Sequence, residues 1–217
     1  MAGLPIVLNL SGKRCLIVGG GAVALRRGRA LSDCGAVVTV VAPQVLDELA
    51  ALPGVRVERR RFEASDLVDA ALVVVATGDP AVNEAASTAA RARGVLVNRA
   101  DDGDAGDIAF AAHGRRGPIS IAVHTSGVSA SASATIRDEL LAALDPAWPA
   151  LLDVAAAYRE RLQREVTDDA RRRPLLLQLV DPRARAVLRD AGPDGLRRHY
   201  DTLLSSASVA TPVSPST

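Results

Sequence analysis

The chain has 217 residues, 26 Lys+Arg against 25 Asp+Glu, a formal charge of +1 and a hydrophobic share of 48%. That length accommodates one large domain, or one domain plus a smaller helical piece, around a real core, and the balanced charge argues against a nucleic-acid binder, which needs a clustered basic face to release counterions from phosphates. Aromatic residues are only 2% (Phe62, Phe110, Trp148, Tyr158 and Tyr200) and offer no platform for stacking bases, while Lys13 is the only lysine, so anion recognition falls to arginine forks.

From the N-terminus, MAGLPIVLNLSGKRC carries no basic run ahead of an apolar one and no cleavage signal. Elsewhere nothing approaches the roughly 20 apolar residues of a membrane span, so the expectation is a soluble, cytoplasmic protein. Arg14–Val18 (RCLIV) is predicted as the first strand, and Ala22–Gly35 as a helix ending at a glycine suited to a C-cap. Val37–Val41, Val55–Arg59, Leu72–Ala76 and Val95–Asn98 follow as strands, with a helix over Pro80–Arg93 that has proline in its first turn. LVVVA at 72–76 is an unbroken apolar run, the pattern of a strand covered on both faces. Strands alternating with helices predict an α/β fold, a Rossmann-type parallel sheet domain. Cys15 in a strand and Cys34 near a helix end make no disulfide framework and are read as small hydrophobes.

After Asp101 the character changes. DDGDAGD reads as a polar loop, Ile108–Ala112 as a strand, GRRGP as a turn and Ile119–Val123 as a further strand, followed by a small-residue loop and a helix over about Ser131–Leu144. Helices are expected at Ala147–Val166, Pro174–Val180, Arg183–Asp190 and Asp194–Leu204. The expected organisation is therefore a Rossmann domain over 1–112, a small α+β segment over 113–145, a C-terminal helical domain over 146–205 and a disordered tail over 206–217.

The strongest motif is LIVGGGAVALRR at 16–27, where Gly19, Gly21 and Ala24 fit G-x-G-x-x-[GA] between a strand and a helix. The first glycine permits the tight turn and the second lets backbone approach a pyrophosphate. The alanine lets the helix pack on the sheet, and the helix N-terminus offers unpaired N–H groups to the anion. Gly19, Gly20, Gly21, Ala22 and Val23 are thus candidate cofactor-binding residues. About 20 residues on, where a carboxylate commonly binds the ribose, stand Val41, Ala42, Pro43 and Gln44. Without an arginine to meet a 2′-phosphate there, the reading is NAD over NADP, with contacts from Pro43 and Gln44. Thr77, in ATGDPAVN after the fourth strand, can reach the cofactor, and Asp79 reads as the N-cap of the next helix. Asn83 is open to a cofactor role or to bonding within its own loop.

These segments occur in a recognisable order: LPIVLNLSGKRCLIVGGGAVALRR, VTVVAP, VVVATGDPAVN, VLVNRADD and RRGPISIAVHTSG. The chain resembles the precorrin-2 dehydrogenase/sirohydrochlorin ferrochelatase family, the N-terminal module of siroheme synthases, over roughly residues 3 to 200. The resemblance implies NAD-dependent oxidation of precorrin-2 to sirohydrochlorin, with Fe²⁺ insertion open, and a homodimer interlocked through the middle segment and the C-terminal helices. It assigns the acid of the VNxxD stretch to Asp101, as the group that removes a proton while hydride passes to the cofactor. A polycarboxylated tetrapyrrole suits arginine forks, and Arg99, Arg115, Arg116 and Arg137 are candidate substrate contacts. The HTSG loop brings Thr125 and Ser126 to positions where the family has small hydroxyl residues, with helix capping as the alternative role. Two departures bear on metal insertion: Ser129-Ala130 stands where the family commonly has Ser-Pro, and Ala111 replaces the proline of a Phe-x-Phe-Pro run. His113, His124 and His199 show no metal-ligand spacing, so no resident metal is expected. A dehydrogenase without chelatase activity and a non-catalytic NAD(H)-sensing domain are the alternative functions.

Overall fold

The computed structural model describes residues 3–209, with side chains described through residue 205. The chain divides into two compact units, one made of Met1–Ala111 with Thr125–Ser129, the other of Ala112–His124 with Ala130–Thr217.

The first unit is built on a parallel sheet of five strands, β1 (Arg14–Val18), β2 (Val37–Val41), β3 (Val55–Glu58), β4 (Leu72–Val75) and β5 (Leu96–Arg99), in the order β3-β2-β1-β4-β5. Helices α1 (Ala22–Asp33), α2 (Asp47–Ala50) and α3 (Pro80–Arg91) connect them. The continuous apolar runs have a direct cause: both faces of the sheet are covered. Cys15, Ile17, Val38, Val40, Leu72 and Val74 enter one core with Ala24 and Leu31 of α1. Their chain neighbours Leu16, Val18, Val41, Val73 and Val75 enter the other with Ala86 and Ala90 of α3. Burial pushes the Cys15 thiol up to about 11, as expected of an inert apolar filler. Gly35, with φ +73, ends α1 by turning the chain left-handed, which glycine does without the Cβ penalty.

Strand order reverses between β1 and β4, and in open α/β sheets that crevice, at the carboxyl edge, is where a ligand binds. Beyond β5 the strand expected at 108–112 does not form over 108–111, and Ala112 instead opens a later strand. Asp107 N–H and Ile108 N–H both donate to the Val97 carbonyl (2.8 and 3.1 Å), and the Asp107 carboxylate accepts from Val97 N–H at 3.0 Å. The returning chain thus covers the exposed edge of β5 without extending a ladder. Ile108 and Phe110 join the core on the α1 side, and the Arg27 guanidinium lies 4.5 Å over the Phe110 ring.

In the second unit, β6 (Ala112–Arg116) pairs antiparallel with β7 (Ile119–Val123), so the expected GRRGP turn is mostly strand. Only Gly117 and Pro118 make the turn, with Gly117 at φ +57, as a two-residue hairpin loop requires. Helix α4 (Ala130–Ala143) follows, packed on the hairpin where Leu141 and Arg137 close over Gly114. Helices α5 (Ala147–Glu165), α6 (Asp169–Gln178) and α7 (Pro182–Val209) complete the unit. Helix α6 begins five residues before the expected start at Pro174, because Asp168 caps it by accepting from Ala170 N–H at 2.9 Å. The two expected last helices are one run broken at Gly192 (φ 65, ψ −172), ahead of Pro193. Leu151, Leu162, Leu179, Leu196 and Tyr200 form this unit's core, with Trp148 packed against them. The expected disordered tail lies from residue 210 outside the described residues, while the α7 backbone runs to Val209. Among the described residues no single helix is long and apolar enough to cross a membrane.

Candidate functional site

Two neighbouring features occupy the carboxyl edge of the first unit. One is the glycine turn between β1 and α1. Gly19 has φ +127, and a Cβ built there would stand 2.3 Å from the Ala76 carbonyl oxygen. A Cβ on Gly20 would stand 2.0 Å from the Gln44 carbonyl oxygen, whereas one on Gly21 would meet nothing within 4 Å. The first two glycines therefore let the turn press against the loops after β4 and β2, and the third borders open space. Gly21 is the N-cap of α1 with no side-chain cap, and the first turn carries no acidic residue. That leaves the helix N-terminus electropositive, with N–H groups available for an anion. Gly19, Gly20, Gly21, Ala22, Val23, Gln44 and Thr77 are thus gathered along one edge, and Pro43 adjoins Gln44. A dinucleotide pyrophosphate fits this cradle. At the end of β2 neither a carboxylate nor an arginine follows Val41. Ala42 N–H donates to the Glu58 carbonyl at 3.2 Å, aligning the ends of β2 and β3.

The other feature surrounds Asp101, just past β5. Its carboxylate receives the Arg99 guanidinium side-on, Nε to Oδ1 at 2.8 Å and Nη2 to Oδ2 at 2.8 Å. Asn83 Nδ2 donates to Oδ2 at 2.9 Å. Arg99 is buried (8% exposed), and its Nη1 also meets Glu84 Oε2 at 3.1 Å. The Arg99 fork holds Asp101 far below the usual carboxylate range against desolvation, the next largest effect, with the Asn83 amide adding a smaller downward push. The same bonds raise Arg99 above its ordinary value.

Asn83 sits in the first turns of α3, whose N-terminus is capped by Asp79 accepting from Ala81 N–H at 2.9 Å and Val82 N–H at 3.3 Å. Its Oδ1 accepts from Thr77 Oγ1 at 2.6 Å and Thr77 N–H at 3.3 Å, and its Nδ2 donates to the Thr77 carbonyl at 3.1 Å. Of the two roles open to Asn83, bonding within its own loop is the one present, and its reach to Asp101, like the parts of Glu84 and Ser87 beside Arg99, is not expected from the sequence. The available signal was polar residues at 83 and 87, one turn apart on the α3 face that also carries the apolar Ala86 and Ala90.

The other candidate residues have defined partners. In the first unit, Thr125 Oγ1 accepts from Ser129 N–H at 3.2 Å, which supports the capping role, and Ser126 has φ 51. In the second unit, Arg115 Nε donates to Ser120 Oγ at 3.1 Å and Arg116 Nη1 to the Leu144 carbonyl at 2.7 Å, while Arg137 pairs with Asp138 at 2.7 Å. Of the four arginines, Arg99 alone shares a unit with Asp101. Among the described residues no group of three or more His, Cys, Asp or Glu side chains is arranged to hold a metal ion.

Comparison with known proteins agrees with this architecture. A family model described as NAD(P)-binding matches residues 6–112. Siroheme synthase of Methylococcus capsulatus is 36% identical over 211 residues, 95% of this chain and 44% of that protein. Siroheme synthase of Pseudomonas entomophila is 38% identical over 173 residues, 78% of this chain and 37% of that protein. The chain therefore spans less than half the length of these curated relatives. The solved structure of SirC, a precorrin-2 dehydrogenase, is similar with a TM-score of 0.74 and 29% identity, covering 92% of this chain and all of that one. Similarity along nearly the whole chain, to siroheme synthases and to a precorrin-2 dehydrogenase, makes this protein a member of the precorrin-2 dehydrogenase/sirohydrochlorin ferrochelatase family.

Proposed function

We propose that the chain oxidises precorrin-2 to sirohydrochlorin in siroheme biosynthesis, with NAD⁺ as hydride acceptor. The observation that carries this reading is the Asp101 carboxylate, 35% exposed and held by Arg99 and Asn83 at the same sheet edge as the pyrophosphate cradle. When bound, the nicotinamide supplies the two-electron hydride acceptor. Asp101 takes the proton that the substrate loses. While the Arg99 fork grips both of its oxygens, Asp101 is a weak base, since each unit of lowered pKa removes about 1.4 kcal/mol of proton affinity. A substrate carboxylate that draws Arg99 away frees Asp101 to accept the proton, which gives Arg99 a part in substrate binding. Arg115, Arg116, Arg137, Thr125 and Ser126 are proposed as further substrate contacts through the family resemblance.

NAD is favoured over NADP because no arginine follows β2, and of the three arginines after β3, Arg60 is held by Asp66 at 2.6 Å. Purified protein given precorrin-2 anaerobically is expected to reduce NAD⁺, and to do so at lower concentration than NADP⁺. Absence of reduction with either cofactor overturns the assignment. Ferrochelation, with Fe²⁺ as a substrate, is a separate activity that Ala111 and Ala130 disfavour. Adding Fe²⁺ to sirohydrochlorin and following its absorption spectrum decides it.

A homodimer is supported by Ile136 and Leu140, 39% and 47% exposed one turn apart on α4. The protein is expected at twice its chain mass by light scattering, and Ile136→Glu with Leu140→Glu at half that. A cytoplasmic location follows from the NAD(H)-dependent reading, and cell fractionation tests it.

A further inference from the structure

Asn83 is almost fully buried, at 1% exposed, and its side-chain amide uses its entire hydrogen-bonding capacity on two partners, Thr77 and Asp101. Because a carboxylate only accepts, the amide nitrogen must face Asp101, and the orientation of the side chain is fixed. Helix capping does not explain it, since Asp79 already caps α3. Nor does neutralising Asp101, which the Arg99 guanidinium accomplishes. What Asn83 does alone is join the loop after β4 to the acid after β5.

We propose that Asn83 is a positioning residue for the reaction: its amide ties the Thr77 loop, which packs against Gly19 of the pyrophosphate cradle, to Asp101, fixing the proton acceptor relative to the cofactor site. This rests on the reading of Asp101 given above. Such a link matters because reacting groups must be held near attack geometry, and small displacements cost large factors in rate. Thr77 is part of the same tie. Its hydroxyl is shared with the Asp79 backbone, accepting from Asp79 N–H at 3.1 Å, so the loop, the start of α3 and Asp101 are held together.

The charged groups around Asp101 are Arg99 on β5 and, through Arg99, Glu84 on α3. Asp79 is turned to the α3 backbone, and Asp102 accepts from Asp104 N–H and Ala105 N–H in its own turn. Asn83→Asp therefore sets a like charge against Asp101 with almost no change of shape. In the full chain it is expected to lower kcat at least tenfold at neutral pH and to move the acid limb of the kcat profile upward by a unit or more. Cofactor affinity, measured by NADH fluorescence, should change less than threefold. Asn83→Ala, which removes the amide without adding charge, should lower kcat by a smaller factor with less movement of the limb, and it carries the test if the charged variant does not fold.

Carboxyl-carbon NMR of Asp101 gives a readout independent of turnover, with its midpoint rising in Asn83→Asp. A folded Asn83→Asp protein with wild-type kcat, acid limb and Asp101 midpoint overturns the proposal. Asp101→Asn, assayed alongside, separates the two levels: an inactive Asp101→Asn beside an unaffected Asn83→Asp removes only the positioning role. An active Asp101→Asn removes the proton-acceptor reading and the positioning role with it.

Discussion

Asp101→Asn is expected to lower kcat for precorrin-2 oxidation by about 10²–10⁴-fold, the range for loss of a positioned proton acceptor. The amide keeps nearly the same volume and one acceptor oxygen, which can still receive Arg99 Nη2 and Asn83 Nδ2, while its NH2 faces Arg99 Nε and that bond is lost. What disappears is the charge and the capacity to take a proton. NADH affinity should stay within about twofold, since the cradle belongs to the β1–α1 turn and one unit of binding energy, about 1.4 kcal/mol, is already tenfold. Loss of turnover with binding intact is the expected pattern. Unchanged turnover would assign the proton transfer to another group, and joint loss of turnover and binding would give Asp101 a structural part instead.

The second large effect is a contrast between adjacent glycines. In Gly20→Ala the new methyl would lie 2.0 Å from the Gln44 carbonyl oxygen, so backbone must move. Overpacking of this kind costs about 1–3 kcal/mol and occasionally more, and here it also displaces the loop after β2. Stability and cofactor binding should fall together. Gly21→Ala adds a methyl that meets no protein atom within 4 Å. Its backbone is extended at φ −88, which any residue adopts, so stability should change by less than about 0.5 kcal/mol. The methyl takes the space where a pyrophosphate approaches the helix N-terminus, and NADH affinity should fall at least tenfold, about 1.4 kcal/mol. Thermal unfolding paired with fluorescence titration separates the two variants. Equal losses of stability in both would mean that Gly21 borders protein, and retained affinity in Gly21→Ala would move the pyrophosphate elsewhere.

The fold of the first unit was legible because its signals are local. An unbroken LVVVA run needs two covered faces, and β4 has them. GGGAVAL between a strand and a helix needs a tight turn, and Gly19 makes one. The same local reading failed at residues 108–111, an apolar segment of strand composition that joins no ladder, with Asp107 and Ile108 N–H at its start both on the Val97 carbonyl. It failed again at 114–116, where residues read as a turn are held in β6 by pairing with β7. Strand pairing depends on a partner that composition does not name.

By itself the sequence determined the parallel sheet and the glycine cradle, each written in a short contiguous pattern, while the choice of Asp101 among its neighbouring aspartates came from the family resemblance. Only the tertiary structure decided what Asp101 touches. Its partners Arg99 and Asn83 come from different elements, β5 and α3, and meet because α3, the connection from β4 to its neighbour β5, packs on the face of the sheet beside them. Arg99, read from the sequence as a free fork for substrate, is in the fold a buried cation that two carboxylates already claim. Asn83, ambiguous in sequence, becomes the tie between two loops. Contacts across 18 residues of chain arise from packing, and no local periodicity encodes them.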